Sequence, residues 1–256
     1  MTTLTTAHGA RPVAVVTGAT GGLGAQICRT LAQAGFAIVA GYRSSANAAH
    51  ALVGELAGDG HCALCAPVAD SAALARLADA VATRYGRCDV LVNCAGTTRF
   101  VAHADLDALD DALIDDVLAT NVRGPFAMVR ALRALLAGSR LAGGGVVINV
   151  SSIAAQTAMG SNVMYCASKA ALDNLTRSLA RALAPTIRVV SVAPGLVDTE
   201  FVKSMDSAWR DEQAARTPLG RLAYPEEIAR AVLAAVRELR FTTGCVLPVD
   251  GGRPLS

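Results

Sequence analysis

Short apolar segments rich in valine and isoleucine alternate along the chain with longer segments in which apolar residues recur every three or four positions. Segments of the first kind predict strands, and segments of the second kind predict helices. The predicted strands cover residues 12–18, 36–42, 61–70, 88–96, 144–152, 187–195 and 245–252. The predicted helices cover residues 23–34, 46–57, 71–84, 106–137, 163–183 and 226–239. The chain is therefore predicted to repeat a strand–helix unit.

The strand segments are apolar throughout, which is typical of strands buried on both faces of a parallel sheet. We predict an α/β fold, a doubly wound Rossmann-type sheet of about seven strands with helices on both faces. No change of composition divides residues 12–256, so one catalytic domain is predicted there, after a disordered N-terminus at 1–11. Residues 199–224 follow a strand with little pattern of their own, which predicts a flap over the ligand crevice.

The composition indicates a chain with much covered surface, because 53% of its residues are hydrophobic and only 17% are charged. Helices or partner subunits are expected to cover this surface, and we predict a homodimer or homotetramer. The net charge is +2 and the Lys and Arg residues are scattered, so no nucleic-acid partner is predicted. Residues 1–11 lack the apolar stretch of a leader, and no apolar run reaches the ~18 residues of a membrane span.

The seven cysteines are dispersed, which favours reduced thiols and a cytoplasmic location over a disulfide framework. The segment "HCALC" at 61–65 suggests a metal site at first sight. Cys62 and Cys65 lie three positions apart in a predicted strand and so point to opposite faces, and no second pair completes a tetrahedral set. No metal site is predicted.

A glycine-rich turn joins the first predicted strand to the first predicted helix. Gly18, Gly22 and Gly24 allow a tight turn and a close approach of the backbone to a pyrophosphate, whose charge the start of the helix stabilises. A turn that only packs strand against helix could use the same residues. The position of the turn within a strand–helix unit favours dinucleotide binding.

The end of the second predicted strand indicates which dinucleotide is bound. A carboxylate there would hold the 2′-hydroxyl of NAD and repel a 2′-phosphate. The chain has Arg43, Ser44 and Ser45 instead, a cation with hydroxyls suited to a phosphate. This predicts NADP, with NAD as the less favoured cofactor. An exposed arginine at a turn, with no role in binding, is the alternative interpretation of the same residues.

Tyr165 and Lys169 are four residues apart in a predicted helix and therefore share one face. An ammonium beside a phenol favours the phenolate form, which makes the tyrosine a plausible general acid and base for a carbonyl–alcohol pair. Ser152 ends a predicted strand and lies at the same edge of the sheet, where its hydroxyl could donate to the carbonyl oxygen.

With these residues in place, the chain resembles the compact, single-domain branch of the short-chain dehydrogenases/reductases. The resemblance covers about residues 12–252. Its motifs are "TGATGGLG" at 17–24, "NCAG" at 93–96, "YCASK" at 165–169, "PGLVDT" at 194–199 and "TTGCVLPVDGG" at 242–252. Within the family, "NCAGTTRF" and "YRSS" are most similar to the 3-oxoacyl-[acyl-carrier-protein] reductase type.

The resemblance implies roles for particular residues. Asn121 would hold a water chain for proton relay, Ser152 would polarise the substrate oxygen, and Tyr165 would be the acid and base. Lys169 would support Tyr165 and bind the nicotinamide ribose. The implied cofactor-binding residues are Gly18, Thr20, Gly22, Leu23, Gly24, Arg43, Ser44, Asp70 at the adenine, Ser71, Asn93, Ala95, Gly96, Tyr165, Lys169, Pro194, and Val197 and Thr199 at the carboxamide.

Three positions depart from the family pattern, and one of them, Val190 where many members have an Asn, has no assigned consequence. Cys94 replaces the second Asn of the NNAG motif, which removes a side-chain hydrogen bond. Gly21 stands where many NADP-dependent members have a basic residue, so phosphate recognition would depend mainly on Arg43 and its serines.

The implied function is hydride transfer between NADP(H) and a ketone or secondary alcohol, with a 3-oxoacyl thioester as one candidate substrate. An NAD-dependent alcohol, sugar or steroid dehydrogenase of the same family is an alternative. A dinucleotide sensor or scaffold without catalysis is an alternative of another class. The presence of all four of Asn121, Ser152, Tyr165 and Lys169 argues against that last alternative.

Overall fold

A seven-stranded parallel sheet forms the centre of the protein, in the order β3-β2-β1-β4-β5-β6-β7. The structure is a computed structural model that describes residues 11–255, so Ser256 and residues 1–10 of the predicted disordered N-terminus lie outside it. The strands are β1 (Val13–Thr17), β2 (Ala37–Tyr42), β3 (Cys62–Cys65), β4 (Val90–Asn93), β5 (Gly145–Val150), β6 (Ile187–Pro194) and β7 (Val246–Val249).

Helices cover both faces of this sheet. They are α1 (Gly22–Gln33), α2 (Ala46–Glu55), α3 (Ser71–Tyr85), α4 (Asp111–Leu118), α5 (Gly124–Ala137), α6 (Ala154–Thr157), α7 (Val163–Leu183), α8 (Glu200–Lys203), α9 (Ser207–Ala215) and α10 (Pro225–Arg237). None of the helices between residues 11 and 255 is both long enough and apolar enough to cross a membrane.

Two apolar cores lie on opposite sides of the sheet because successive strand residues point in opposite directions. In β1, Ala14 and Val16 join the core that also contains residues of α1, α2 and α10. Val13 and Val15 join the core that contains residues of α3, α5 and α7. The predicted doubly wound α/β fold is thus confirmed.

The strand order reverses at β1, which pairs with β2 on one side and β4 on the other. A crevice opens at such a reversal, beyond the carboxyl ends of the strands. The Thr17 hydroxyl at the end of β1 accepts hydrogen bonds from the backbone N–H groups of Cys94 and Ala95, both at 3.1 Å. These bonds hold the turn after β4 beside the turn after β1, so the crevice has fixed walls.

The single helix predicted at 106–137 is wrong in two respects. The helix begins at Asp111, because the Asp110 carboxylate accepts a hydrogen bond from the Leu113 N–H at 2.8 Å and caps it. The helix is then interrupted by a π-helical turn over Ala119–Arg123 before α5. Such wider turns are frequent at functional sites, and this one carries Asn121.

The region predicted as an unpatterned flap contains two short helices, α8 and α9. The second begins where the Asp206 carboxylate accepts from the Trp209 N–H at 2.9 Å. The sequence pattern did not predict these helices or α6, because each is too short to show an apolar period. The predicted third strand at 61–70 is also too long, since β3 ends at Cys65.

Candidate active site

A cleft of about 630 Å³ lies at the carboxyl ends of the strands. Turns after β1, β2, β3, β4, β5 and β6 contribute to it, together with α4 and α7. Of the predicted site residues, those that line the cleft are Gly18, Thr20, Gly22, Leu23, Gly24, Arg43, Ser44, Ala95, Gly96, Ser152, Tyr165, Lys169, Pro194, Val197 and Thr199. Residues far apart in sequence therefore meet at one edge of the sheet.

The glycine turn is built for a close backbone approach. Gly18 has a φ of +65°, and a Cβ atom there would lie 2.9 Å from the Ala95 Cα atom. A Cβ atom on Gly24 would overlap the Gly18 carbonyl oxygen. No acidic residue lies in the first turn of α1, so the N-terminus of this helix presents its free N–H groups and positive dipole end to an anion.

Arg43, Ser44 and Ser45 form one end of the cleft, directly after β2. All three are exposed, and no carboxylate lies among them. Within residues 11–255 no hydrogen bond or ion pair engages the Arg43 guanidinium. A cation with two neighbouring hydroxyls is a set of groups that can bind an anion.

Tyr165, Lys169 and Ser152 form the other end. The Lys169 side chain is 6% exposed, and its Nζ atom donates to the Val150 carbonyl oxygen at 2.8 Å. The same Nζ atom lies 5.7 Å from the centre of the Tyr165 ring. The Ser152 Oγ atom accepts from the Ala154 N–H at 3.1 Å, which leaves its own proton free to donate. A phenol, an ammonium and a serine hydroxyl thus share the same part of the cleft.

The comparisons with known proteins agree with this geometry. The sequence profile of a family described as enoyl-(acyl carrier protein) reductase matches residues 18–253. The chain belongs to the short-chain dehydrogenase/reductase family. It is therefore an oxidoreductase that acts on CH–OH groups with NAD(P).

Individual members of the family match over nearly the whole chain. A Streptomyces violaceoruber protein described as ketoacyl reductase 2 of the granaticin polyketide synthase is 38% identical over 246 residues, 95% of this chain and 96% of that protein. The D-threitol dehydrogenase of Mycolicibacterium smegmatis is also 38% identical, over 94% of this chain and 92% of its own length. A Burkholderia xenovorans structure described as a short-chain dehydrogenase/reductase has a TM-score of 0.88 at 35% identity, covering 96% of this chain and 99% of that one.

Asn121, the fourth residue predicted to be catalytic, is buried behind the cleft wall and is not in its lining. Its side chain accepts from the Thr97 N–H at 2.9 Å and donates to the Thr97 carbonyl oxygen at 3.0 Å. It also donates to the Ser168 hydroxyl at 3.1 Å. A Cβ atom on Gly96 would lie 3.4 Å from Asn121 Oδ1 and 3.9 Å from Lys169 Nζ, so both groups lie close to the Gly96 backbone.

Three predicted cofactor residues have side chains engaged within the protein and do not line the cleft. Asp70 caps α3 by accepting from the Ala72 and Ala73 N–H groups. The Ser71 hydroxyl accepts from Arg130 at 3.1 Å. Asn93 is buried and donates to Asn149 at 2.9 Å. Their contacts with the cofactor of this short-chain dehydrogenase/reductase stay predictions.

Other cleft residues were missed by the sequence reasoning. Most of them directly follow a strand, and that position was the available signal. The additional lining residues are Ala66, Pro67, Val68, Ala69, Thr97, Thr98, Asp116, Thr120, Val150, Ser151 and Gly195. Asp116 and Thr120 had no such signal, because they lie in α4 and in the π-helical turn that follows it.

Cys94, which stands where the family pattern has an Asn, is part of the cleft lining, and its side chain packs against the apolar core. Burial raises the pKa of Cys94 to about 11, against the opposing effect of the positive charge on Lys169. The residue therefore stays a neutral thiol near pH 7. Within residues 11–255, no group of three or more His, Cys, Asp or Glu side chains could hold a metal ion.

Proposed function

We propose that the chain is an NADP(H)-dependent reductase that interconverts a ketone and a secondary alcohol, with a 3-oxoacyl thioester among its candidate substrates. The observation that carries the proposal is that one cleft contains two groups of residues, one suited to a phosphate and one suited to a carbonyl. One end has a cation and hydroxyls after β2, and the other has Tyr165, Lys169 and Ser152.

The residues present fit a dinucleotide phosphate. The start of α1 and the glycine turn would hold the pyrophosphate, and Arg43, Ser44 and Ser45 would hold the 2′-phosphate. Lys169 has two ammonium protons left after its bond to Val150, enough for the hydroxyls of a ribose. Val197 and Thr199 would hold the carboxamide.

The protein residues would control the proton. When bound, the nicotinamide supplies a hydride, with both its electrons, to the carbonyl carbon. The Ser152 hydroxyl donates a hydrogen bond to the carbonyl oxygen and stabilises the negative charge that develops there. Tyr165 gives its proton to the same oxygen, and the neighbouring Lys169 ammonium stabilises the phenolate that remains. Asn121 is proposed to support return of the proton through water.

A cofactor and substrate panel tests the proposal. Purified protein is mixed with NADPH or NADH and a series of ketones, sugars and one 3-oxoacyl thioester, and the absorbance of the reduced cofactor is followed. We expect oxidation of NADPH in preference to NADH. A chain that neither oxidises NADPH with any substrate nor changes NADPH fluorescence would refute the NADPH-dependent reductase.

An NAD-dependent alcohol or sugar dehydrogenase is the second candidate, favoured by the equal 38% identity to a ketoacyl reductase and to a polyol dehydrogenase. The same panel distinguishes the two, because NADH used better than NADPH would remove the proposed role of Arg43. A sensor without catalysis would bind NADPH with no turnover.

We also propose a cytoplasmic homodimer or homotetramer. Large apolar side chains remain exposed on the single chain, among them Phe100 at 72% and Phe126 at 43%. Sedimentation equilibrium of the purified protein measures the assembly, and a monomer at micromolar concentration would contradict it.

A further inference from the structure

The side of the cleft next to Tyr165 is formed by an extended segment after β4, residues 97–101, here called the 97–101 wall. Thr97 and Thr98 of this wall line the cleft. The Val101 N–H donates to the Ser161 carbonyl oxygen at 2.8 Å, directly before α7 begins. The wall therefore runs alongside the start of the helix that carries Tyr165.

Asn162 joins the two by its side-chain amide. It is fully buried (0% exposed), and its Oδ1 atom accepts from the Tyr165 N–H at 2.7 Å as the N-cap of α7. Its Nδ2 atom donates to the Arg99 carbonyl oxygen at 2.7 Å and to the Thr98 hydroxyl at 3.1 Å. One amide thus uses its acceptor on the helix and both its donor hydrogens on the wall.

A second connection runs from the other side of the Tyr165 backbone. The Tyr165 carbonyl oxygen accepts from the Ser168 hydroxyl at 2.7 Å, and Ser168 accepts in turn from Asn121. Asn121 holds both backbone polar groups of Thr97. The wall is therefore tied to the N–H of Tyr165 by Asn162 and to its carbonyl by Ser168 and Asn121.

We propose that Asn162 is a positioning residue that sets the distance between the 97–101 wall and Tyr165, and thereby the space that a ketone enters. The proposal rests on the proposed reductase function. Its physical basis is that the oxygen of the amide binds the helix while the nitrogen binds the wall. Any small acceptor could cap α7, but only a side chain with two donor hydrogens of this length also holds Arg99 and Thr98. Leaving the partners of such buried hydrogen bonds unsatisfied costs free energy.

Variants at this position separate the two tasks. Asn162→Asp keeps an acceptor for the Tyr165 N–H and has no hydrogen to donate to the wall. Asn162→Ser keeps an acceptor without adding charge, and its single hydroxyl hydrogen on a shorter side chain cannot hold both Arg99 and Thr98. Asn162→Ala loses both tasks. Asn174→Asp is the matched control, since Asn174 is an exposed residue of the same helix. Each variant is measured for ketone KM, kcat, NADPH affinity by fluorescence, and amide hydrogen exchange of the NADPH complex.

For Asn162→Asp and Asn162→Ser we expect ketone KM to rise about tenfold or more, from the loss of two buried hydrogen bonds. We expect kcat to fall less than about threefold and NADPH affinity to change less than about twofold. Hydrogen exchange should quicken in peptides covering 97–101 and stay unchanged at 165–168, whereas Asn162→Ala should quicken both. Asn174→Asp should match the parent in all four measurements.

Unchanged ketone KM with unchanged exchange at 97–101 would overturn the role of Asn162. A loss of NADPH affinity as large as the rise in KM would also overturn it, because the residue would then support the whole site. If the parent chain shows no turnover with any ketone, the proposed function fails, and hydrogen exchange in the NADPH complex still decides whether Asn162 holds the wall.

Discussion

Tyr165 is held by its backbone, while its side chain faces the cleft. Its N–H and carbonyl are both hydrogen-bonded, to Asn162 and Ser168. Within the described residues no hydrogen bond engages its hydroxyl. A tyrosine whose backbone is fixed and whose hydroxyl is not hydrogen-bonded within the protein is suited to exchange a proton with a bound carbonyl.

Replacing Tyr165 by Phe removes that hydroxyl and keeps the ring. We expect turnover to fall on the order of a hundredfold or more, because the proton donor to the carbonyl oxygen is lost. NADPH affinity should persist, since Lys169 and the glycine turn are unchanged. Initial rates and a fluorescence titration measure the two effects, and a variant as active as the parent would disprove the role.

Arg43 is the residue that would distinguish the two dinucleotides. Arg43→Ala should raise KM for NADPH by about tenfold to a hundredfold, the loss of a charge-assisted bond to phosphate, and leave KM for NADH nearly unchanged. Arg29→Ala is the control, because Arg29 pairs with Glu55 at 3.2 Å and does not line the cleft. Equal effects of Arg43→Ala on both cofactors would contradict the assignment.

Among the helices, α10 shows how one charged cluster fixes the start of an element. The two terminal guanidinium nitrogens of Arg221 donate to the Glu227 carboxylate, at 2.7 and 2.6 Å. Glu227 also accepts from the Tyr224 N–H at 2.8 Å. The bonds from Arg221, and then the one from Tyr224, lower the pKa of Glu227 to about 2.

This lowered pKa predicts a pH-dependent contribution to stability. The carboxylate stabilises the fold fully above its unfolded pKa of about 4.3, and the contribution is lost as the pH falls toward 2. Glu227→Gln should cost about 1 kcal/mol of unfolding free energy at pH 7, a value limited by solvent screening. The difference from the parent should narrow between about pH 4.5 and 2. Urea unfolding at several pH values measures it, and a constant difference would refute the assignment.

Across the whole molecule, the C-terminal segment is fastened to the region between β6 and α10. Arg253 is 8% exposed and donates to the Gln213 carbonyl oxygen at 2.6 Å, the Gln213 side chain, and the Thr217 hydroxyl at 3.3 Å. The Leu219 N–H donates to the Gly251 carbonyl oxygen at 3.2 Å. The C-terminal segment thus holds α9 in place.

Arg253→Ala should release this contact. We expect a loss of about 2–3 kcal/mol in unfolding free energy, because buried acceptors lose a charged donor. Amide exchange in residues 207–219 should quicken more than in the strands. Thermal unfolding and hydrogen exchange measure these effects, with Leu255→Ala as the control for the exposed end of the same segment. Unchanged exchange in 207–219 would show that α9 is held by other contacts.

The sequence alone determined those features that depend on local geometry. The spacing of Tyr165 and Lys169 places them on one helix face, and the helical period sets that arrangement wherever the helix lies. The glycine turn and the position of Arg43 after β2 follow from the order of strand and helix, which the apolar pattern shows. The parallel sheet follows from strands that are apolar on both faces.

Only the tertiary structure decided the features that depend on how separate segments meet. The capped start of α4 and the π-helical turn place Asn121 behind the wall, although the apolar period runs on through both. The capping task of Asp70, the cleft position of Asp116 and the three bonds of Asn162 depend on partners elsewhere in space or on backbone angles at a single turn. A pattern of residue types along one chain carries no record of such contacts, because their distances are set by packing across the whole fold.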